Sequence, residues 1–129
     1  MKKIVADTNF LMSQFEYGVD LPSELRRIAD GPFELVVCTG TMRELSTIAG
    51  RTGKRAAAAR FVINNLPKLR TLYNIVEVTS EGKVDEWIIK YARENEISVA
   101  TNDIPLRKRL LGMEVPVIAM KGKSKLDYV

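Results

Sequence analysis

Residues 99–109 read VATNDIPLRKR: an apolar run, small polar residues, an acid, and then a helix-like stretch with three cations. Asp103 stands at the join. The beginning of the chain repeats the pattern, because IVAD at 4–7 also closes an apolar run on an acid before TNFLM. Each acid follows a run ending in alanine and precedes a helix. Strands that alternate with helices build a parallel sheet, and in such sheets ligands sit beyond the carboxyl ends of the strands. Asp7 and Asp103 are therefore expected on one edge of one sheet. The ordinary alternative is that each is only an N-cap, accepting free N–H groups of its helix.

Working outward, the other strand candidates are ELVVCTG (34–40), NIVEVT (74–79) and VPVIAM (115–120), with the first two sites supplying KIVAD (3–7) and ISVATN (97–102). Helical patterns lie between them: PSELRRIAD (22–30), a long region from Thr41 to Lys68 broken at Gly50 and Gly53 and stopped near Pro67, KVDEWIIKYARENE (83–96) and IPLRKRLLG (104–112). The alternation predicts a three-layer α/β/α sandwich with a mainly parallel central sheet of about five strands. One domain is expected over 1–120, with 121–129 as a basic, mobile C-terminal tail.

Composition narrows the chemistry. There is no histidine, which removes Ser-His-Asp and Cys-His schemes and leaves carboxylates, lysine, tyrosine or metal. The single cysteine, Cys38, lies in the apolar LVVC run, so neither a disulfide framework nor a Cys-rich zinc site is available. No stretch approaches transmembrane length, and Asp7 interrupts the first apolar run too early for a signal peptide. A cytoplasmic protein without membrane partners is expected. The net charge of +4 conceals a segregation. Arg43, Arg51, Lys54, Arg55, Arg60, Lys68 and Arg70 face only Glu44 within 43–70, and Arg107, Lys108, Arg109, Lys121, Lys123 and Lys125 face only Glu114 within 107–125. Two cationic segments in an otherwise acidic chain suit a polyanion, whose counterions they would release; solvated helix faces are the plain alternative.

Two more acids fit the first pair. In 83–96, Val84, Ile88 and Ala92 mark the buried stripe and Glu86, Lys90 and Glu94 the outer face, whereas Asp85 shares a face with Ile88, Ile89 and Ala92. A carboxylate at the edge of a core wants a partner or a metal, although a first-turn acid is also favoured by the helix dipole. Glu44 borders the stripe formed by Met42, Leu45, Ile48 and Ala49, with a bridge to Arg43 or a nearby lysine as its ordinary reading. Together, Asp7, Glu44, Asp85 and Asp103 would set four carboxylates on one sheet edge, where they repel unless neutralised. Oxygen ligands without Cys or His favour Mg²⁺ or Mn²⁺, which share coordination with phosphate.

VADTNFLM, MREL with Glu44, VDEWIIKYA with Asp85 and VATNDIPLRKRL with Asp103 together resemble a PIN domain across essentially the whole chain. The resemblance implies a compact α/β/α nuclease whose clustered acids bind Mg²⁺ or Mn²⁺ and hydrolyse RNA phosphodiesters. It assigns catalysis and metal binding to Asp7, Glu44, Asp85 and Asp103, and support to their small polar neighbours Thr8, Asn9, Thr101 and Asn102. Asn9 departs from the serine of many relatives. The form of TNDIPLRKRL and VPVIAMKGK is similar to the PIN nucleases of small-subunit rRNA maturation, which implies a role in RNA processing; the toxin half of a toxin–antitoxin pair is the alternative. RNA is the expected partner, held by Arg43, Arg51, Lys54, Arg55, Arg107, Lys108 and Arg109. A small antitoxin, a ribosome-assembly partner or a second copy of the chain are the further partners considered, the last through the small-residue face of AAAARFVINNL (56–66).

Other residues have plain readings. Trp87, Tyr91 and Phe61 are expected to pack, as are Met42, Met113 and Cys38. Two other classes compete with a nuclease. A module that holds RNA without cutting it would be expected to lose one of the acids. A phosphatase with Asp7 as phosphoacceptor wants an acid where Asn9 stands, and a receiver wants one where VVCTG has none.

Overall fold

The computed structural model describes residues 2–72, 74–122 and 124–129. In chain order they form β1 (Lys2–Ala6), α1 (Thr8–Tyr17), α2 (Leu21–Ala29), β2 (Phe33–Cys38), α3 (Thr39–Ala49), α4 (Lys54–Leu72), β3 (Asn74–Val78), α5 (Val84–Asn95), β4 (Ser98–Ala100), α6 (Ile104–Gly112), β5 (Val117–Lys121) and β6 (Lys125–Tyr128). The strands make one sheet in the order β3-β2-β1-β4-β5-β6, parallel throughout except for β6.

Helices cover both faces, which is why the central strands are apolar on both sides. Successive strand residues point to opposite faces. Ile4 and Leu35 therefore join Phe10, Leu25, Leu45 and Val62 from the helices α1 to α4. Val5, Val36 and Val99 join Ile88, Leu106 and Leu110 from α5 and α6. The three layers are thus four helices, the sheet, and two helices.

The sheet has six strands because the expected tail folds. Residues 125–128 pair antiparallel with β5, and Leu126 is fully buried. Both backbone groups of Leu126 are satisfied from α2: its N–H donates to Glu24 Oε1 at 2.9 Å, and its carbonyl accepts from Arg27 Nη2. One inward leucine among polar residues gives a weak sequence signal; the strand forms by backbone pairing with β5, and those two side chains satisfy the groups of Leu126.

Pro67 does not stop α4, which continues to Leu72. Proline removes one backbone donor, but Leu66 and Leu69 on either side of it are both buried, so packing holds the helix through that gap. The small-residue face of this helix is also used inside the monomer. Ala58 and Ala59 are fully buried as α4 packs on α1 and α3, so this face is not a free dimer surface. Met113, expected as core filler, is 41% exposed at the end of α6. Cys38 is buried, and Trp87 stacks on Tyr91 at 4.6 Å against the second core. Among the described residues no helix is long and apolar enough to cross a membrane.

Candidate functional site

β1 and β4 are neighbours with Ala6 opposite Ala100, so the residues that follow them leave the same edge of the sheet. Asp7 N–H donates to the Ala100 carbonyl at 3.2 Å and fastens the two strand ends. Both acids cap helices. Asp7 Oδ1 accepts the Phe10 N–H at 2.7 Å, and Asp103 Oδ1 accepts the Leu106 N–H at 2.9 Å. The N-cap reading is therefore correct for both and is compatible with a second role, because a carboxylate has more lone pairs than the cap uses. In Asp7 the other oxygen, Oδ2, accepts the hydroxyl of Thr101, whose Oγ1 also accepts the Asp103 N–H at 3.1 Å.

The other two acids arrive from opposite faces of the sheet. Glu44 is on α3, which starts directly after β2, and its Oε1 accepts the Thr8 hydroxyl at 3.3 Å. Asp85 is in the first turn of α5. The loop before α5 is clipped to the start of α3: Ser80 Oγ accepts the Gly40 N–H at 2.9 Å, and Ser80 N–H donates to Thr39 Oγ1 at 2.9 Å. A Cβ on Gly40 would stand 2.8 Å from Val84 Cγ2 and 3.0 Å from Ser80 Oγ, so the missing side chain lets α5 come this close. Among the described residues the Asp85 carboxylate has no hydrogen bond or ion pair.

Electrostatics couple the four. Burial pushes the Asp7 carboxyl up to about 6; Thr101 and Phe10 oppose this, and the charges of Asp103 and Asp85 add to it. Glu44 is also raised, first by lost hydration against Thr8's opposing hydrogen bond, with Asp85 adding repulsion. Asp85 is raised by lost hydration and then by Asp103, while Arg109 pulls the other way. Glu44 and Asp85 keep exposed surfaces, which limits their desolvation. The described residues contain no three carboxylates converged into a ready-made metal cage.

Beside the acids lies an open cleft of about 810 Å³. Glu44 and Asp85 line it together with Arg43, Arg51, Arg55 and Arg109. Lys54, Arg107 and Lys108 are not among its lining residues, so the cleft gathers four of the seven cations expected at RNA. Arg55 Nη2 donates to Asn9 Oδ1 at 3.2 Å. Arg109 is engaged by Glu86, with Nη1 to Oε1 at 2.9 Å and Nη2 to Oε2 at 3.0 Å. Of the four small polar neighbours, Thr8 and Thr101 contact the acids, and Asn9 contacts Arg55. Asn102 instead turns to the sheet, where its Oδ1 accepts the Met120 N–H at 2.8 Å.

Three contributors escaped the sequence reading. Lys83 precedes Asp85 and lines the cleft. Gly40 and Ser80 set the approach of α5 to α3. The glycine between two threonines directly after β2 was the available sign of a close approach; nothing local marks Ser80, because its partners lie 40 and 41 residues away.

Comparison with known proteins agrees with this architecture. The PIN-like domain family matches residues 4–123. Ribonuclease VapC4 of Methanocaldococcus jannaschii is 33% identical over 128 residues, covering 98% of this chain and 96% of that protein. Among solved structures, the PIN domain endonuclease Utp24 superposes with a TM-score of 0.76 at 19% identity, covering 98% of this chain and 90% of that one. A domain of a functionally unknown protein from Methanocaldococcus jannaschii superposes with a TM-score of 0.70 at 12% identity, covering 95% and 93%. The structural likenesses establish the fold, and the sequence matches, full-length in one case, establish the family: this chain belongs to the PIN-like domain family.

Proposed function

We propose that the chain is a divalent-metal-dependent endoribonuclease. The observation that carries this reading is the convergence of Asp7, Asp85 and Asp103 at one edge of the sheet, where burial first and neighbouring negative charge second raise the Asp7 and Asp85 carboxyls, beside a cleft walled by arginines. Carboxylates brought this close are poorly placed for stability and well placed for a cation. The full-length similarity to a ribonuclease supports RNA as the substrate.

The donor set is all oxygen, which suits Mg²⁺ or Mn²⁺ completed by waters. Asp7, Asp85 and Asp103 would hold the ion, with Glu44 at the border of the set. Bound there, it would neutralise the acids and help charge build on a phosphate oxygen. The chain's own contribution is positional. Thr101 fixes the Asp7 carboxylate and the Asp103 backbone to each other. Thr8 orients Glu44, and Arg43, Arg51 and Arg55 hold the phosphodiester backbone against acids that would otherwise repel it.

The test is cleavage of structured and unstructured RNA with Mg²⁺, Mn²⁺ or EDTA, comparing the wild type with Asp7→Asn and Asp103→Asn. Cutting that needs metal and disappears in both folded variants is expected. Salt-sensitive binding without cutting by any form would sink the reading in favour of a binding module. RNA processing is the proposed role. Growth arrest on expression of this chain alone, relieved by a small neighbouring gene product, would replace it with the toxin role.

A further inference from the structure

Lys121 and Lys125 are partners across the antiparallel pair of β5 and β6, and Lys123 lies between them in the sequence. Like charges directly opposite on neighbouring strands destabilise a sheet. No ion pair among the described residues offsets this pair. Both lysines are exposed, and among the described residues neither has a hydrogen bond or an ion pair. Glu24 is the acid near Lys125, but its carboxylate is engaged by Arg27 and by the Leu126 N–H.

The topology says where this charge sits. β5 runs parallel to β4 and β1, so Lys121, its last residue, is on the sheet edge that carries Asp7 and Asp103. Alternation along the strands gives the face. Ile118 and Leu126 point into the core under α1 to α4, so Lys121 and Lys125, at odd spacing from them, are on the face of α5 and α6. The turn that holds Asp103 is joined to this strand end, since Asn102 accepts the N–H of Met120, the neighbour of Lys121. α3 packs on β2 and α4 on β3, so these helices bring their arginines from the β2 side, on the other face of the sheet. Strand order therefore brackets the carboxylates with cations.

We propose that Lys121 and Lys125 form a second phosphate-binding site, holding the RNA backbone on the β5 side of the carboxylates while the α3 and α4 arginines hold it on the β2 side. This rests on the ribonuclease reading for the identity of the polyanion. An RNA strand would cross the acids from one cationic flank to the other, which fixes the phosphodiester between them. The repulsion built into the strand pair is relieved when phosphate arrives.

The experiment is salt-dependent binding of a fluorescent single-stranded RNA to the full chain in EDTA, so that the probe stays uncut. Lys121→Gln/Lys125→Gln is expected to weaken binding about tenfold or more at 0.1 M salt and to reduce the log–log salt slope by about 1.4, two contacts' worth for a single strand. Lys121→Arg/Lys125→Arg should restore both. The melting temperature of the Gln pair should hold or rise, because a like-charge pair has been removed; a structural role for the lysines would lower it. Unchanged affinity and slope in the Gln pair overturn the proposal and point to an acidic protein as the occupant, and absence of RNA binding by the wild type overturns it too. A wild type that binds with this lysine dependence but never cuts would sink the nuclease reading alone.

Discussion

Thr101 donates its hydroxyl hydrogen to Oδ2 of Asp7, joining the end of β4 to the end of β1. Thr101 Oγ1 in turn accepts the Asp103 N–H at 3.1 Å, so one hydroxyl positions two of the four acids. Thr101→Val keeps the shape and removes both bonds. Leaving a buried carboxylate oxygen and an N–H without this partner should cost about 1–3 kcal/mol of stability, and RNA cleavage should fall further than folding explains. Thr101→Ser should recover most of both. Urea denaturation alongside single-turnover cleavage makes the comparison; equal activity in the folded Val variant would remove Thr101 from the site.

Burial holds the Asp7 carboxyl at about 6 instead of its ordinary 3.8. Such a group binds its proton more tightly in the folded chain, so its contribution to stability is full below the unfolded value and is lost as pH rises towards 6. Without metal, the wild type should therefore lose up to about 3 kcal/mol relative to Asp7→Asn between pH 4 and pH 7. Mg²⁺ or Mn²⁺ should return part of that at pH 7 to the wild type only. Denaturation in EDTA and in metal measures the difference, and parallel pH curves for the two proteins would refute it.

Gly40→Ala places a methyl group 2.8 Å from Val84 Cγ2 and 3.0 Å from Ser80 Oγ. Overpacking of this kind costs about 1–3 kcal/mol. Relief requires α5 to move away from α3, and Asp85 would move with it. Cleavage should drop at metal concentrations that saturate the wild type and recover partly at higher metal. A variant as active as the wild type at every metal concentration would show that the α3–α5 spacing does not matter.

Glu86 occupies both terminal nitrogens of Arg109 at the cleft. The pair is exposed, and exposed pairs are easily exchanged. Glu86→Gln should leave the melting temperature nearly unchanged and tighten RNA binding several-fold, because Arg109 is released to phosphate and a like charge is removed. Binding measured by fluorescence anisotropy at two salt concentrations tests this; weaker binding would mean that the pair orients Arg109 for phosphate.

Much of this was legible because the strands end where their chemistry begins. IVAD and SVATND announce both strand and candidate site, since a parallel strand delivers its next residue to the edge where ligands sit in such sheets. Asp85 was marked by an acid on an apolar helix face. The outermost strand was hidden, because KLDY shows a single inward residue and its backbone partners, Glu24 and Arg27, lie about a hundred residues earlier. Pro67 misled for a related reason: local propensity argues for a stop, while the buried leucines on either side of it decide the outcome. Asn102 was read by position as a neighbour of the acids, and its side chain turned out to serve the strand beside them.

The attachment of Leu126 to Glu24 and Arg27 has a consequence for how this protein behaves in company. A terminal strand of a sheet is a template on which another chain can grow, through strand exchange or fibril seeding. Here the template is masked by two side chains of a helix at the other end of the sequence. The Leu126 amide should exchange with deuterium as slowly as one in an interior strand, and mutation of Glu24 or Arg27 should show first as self-association.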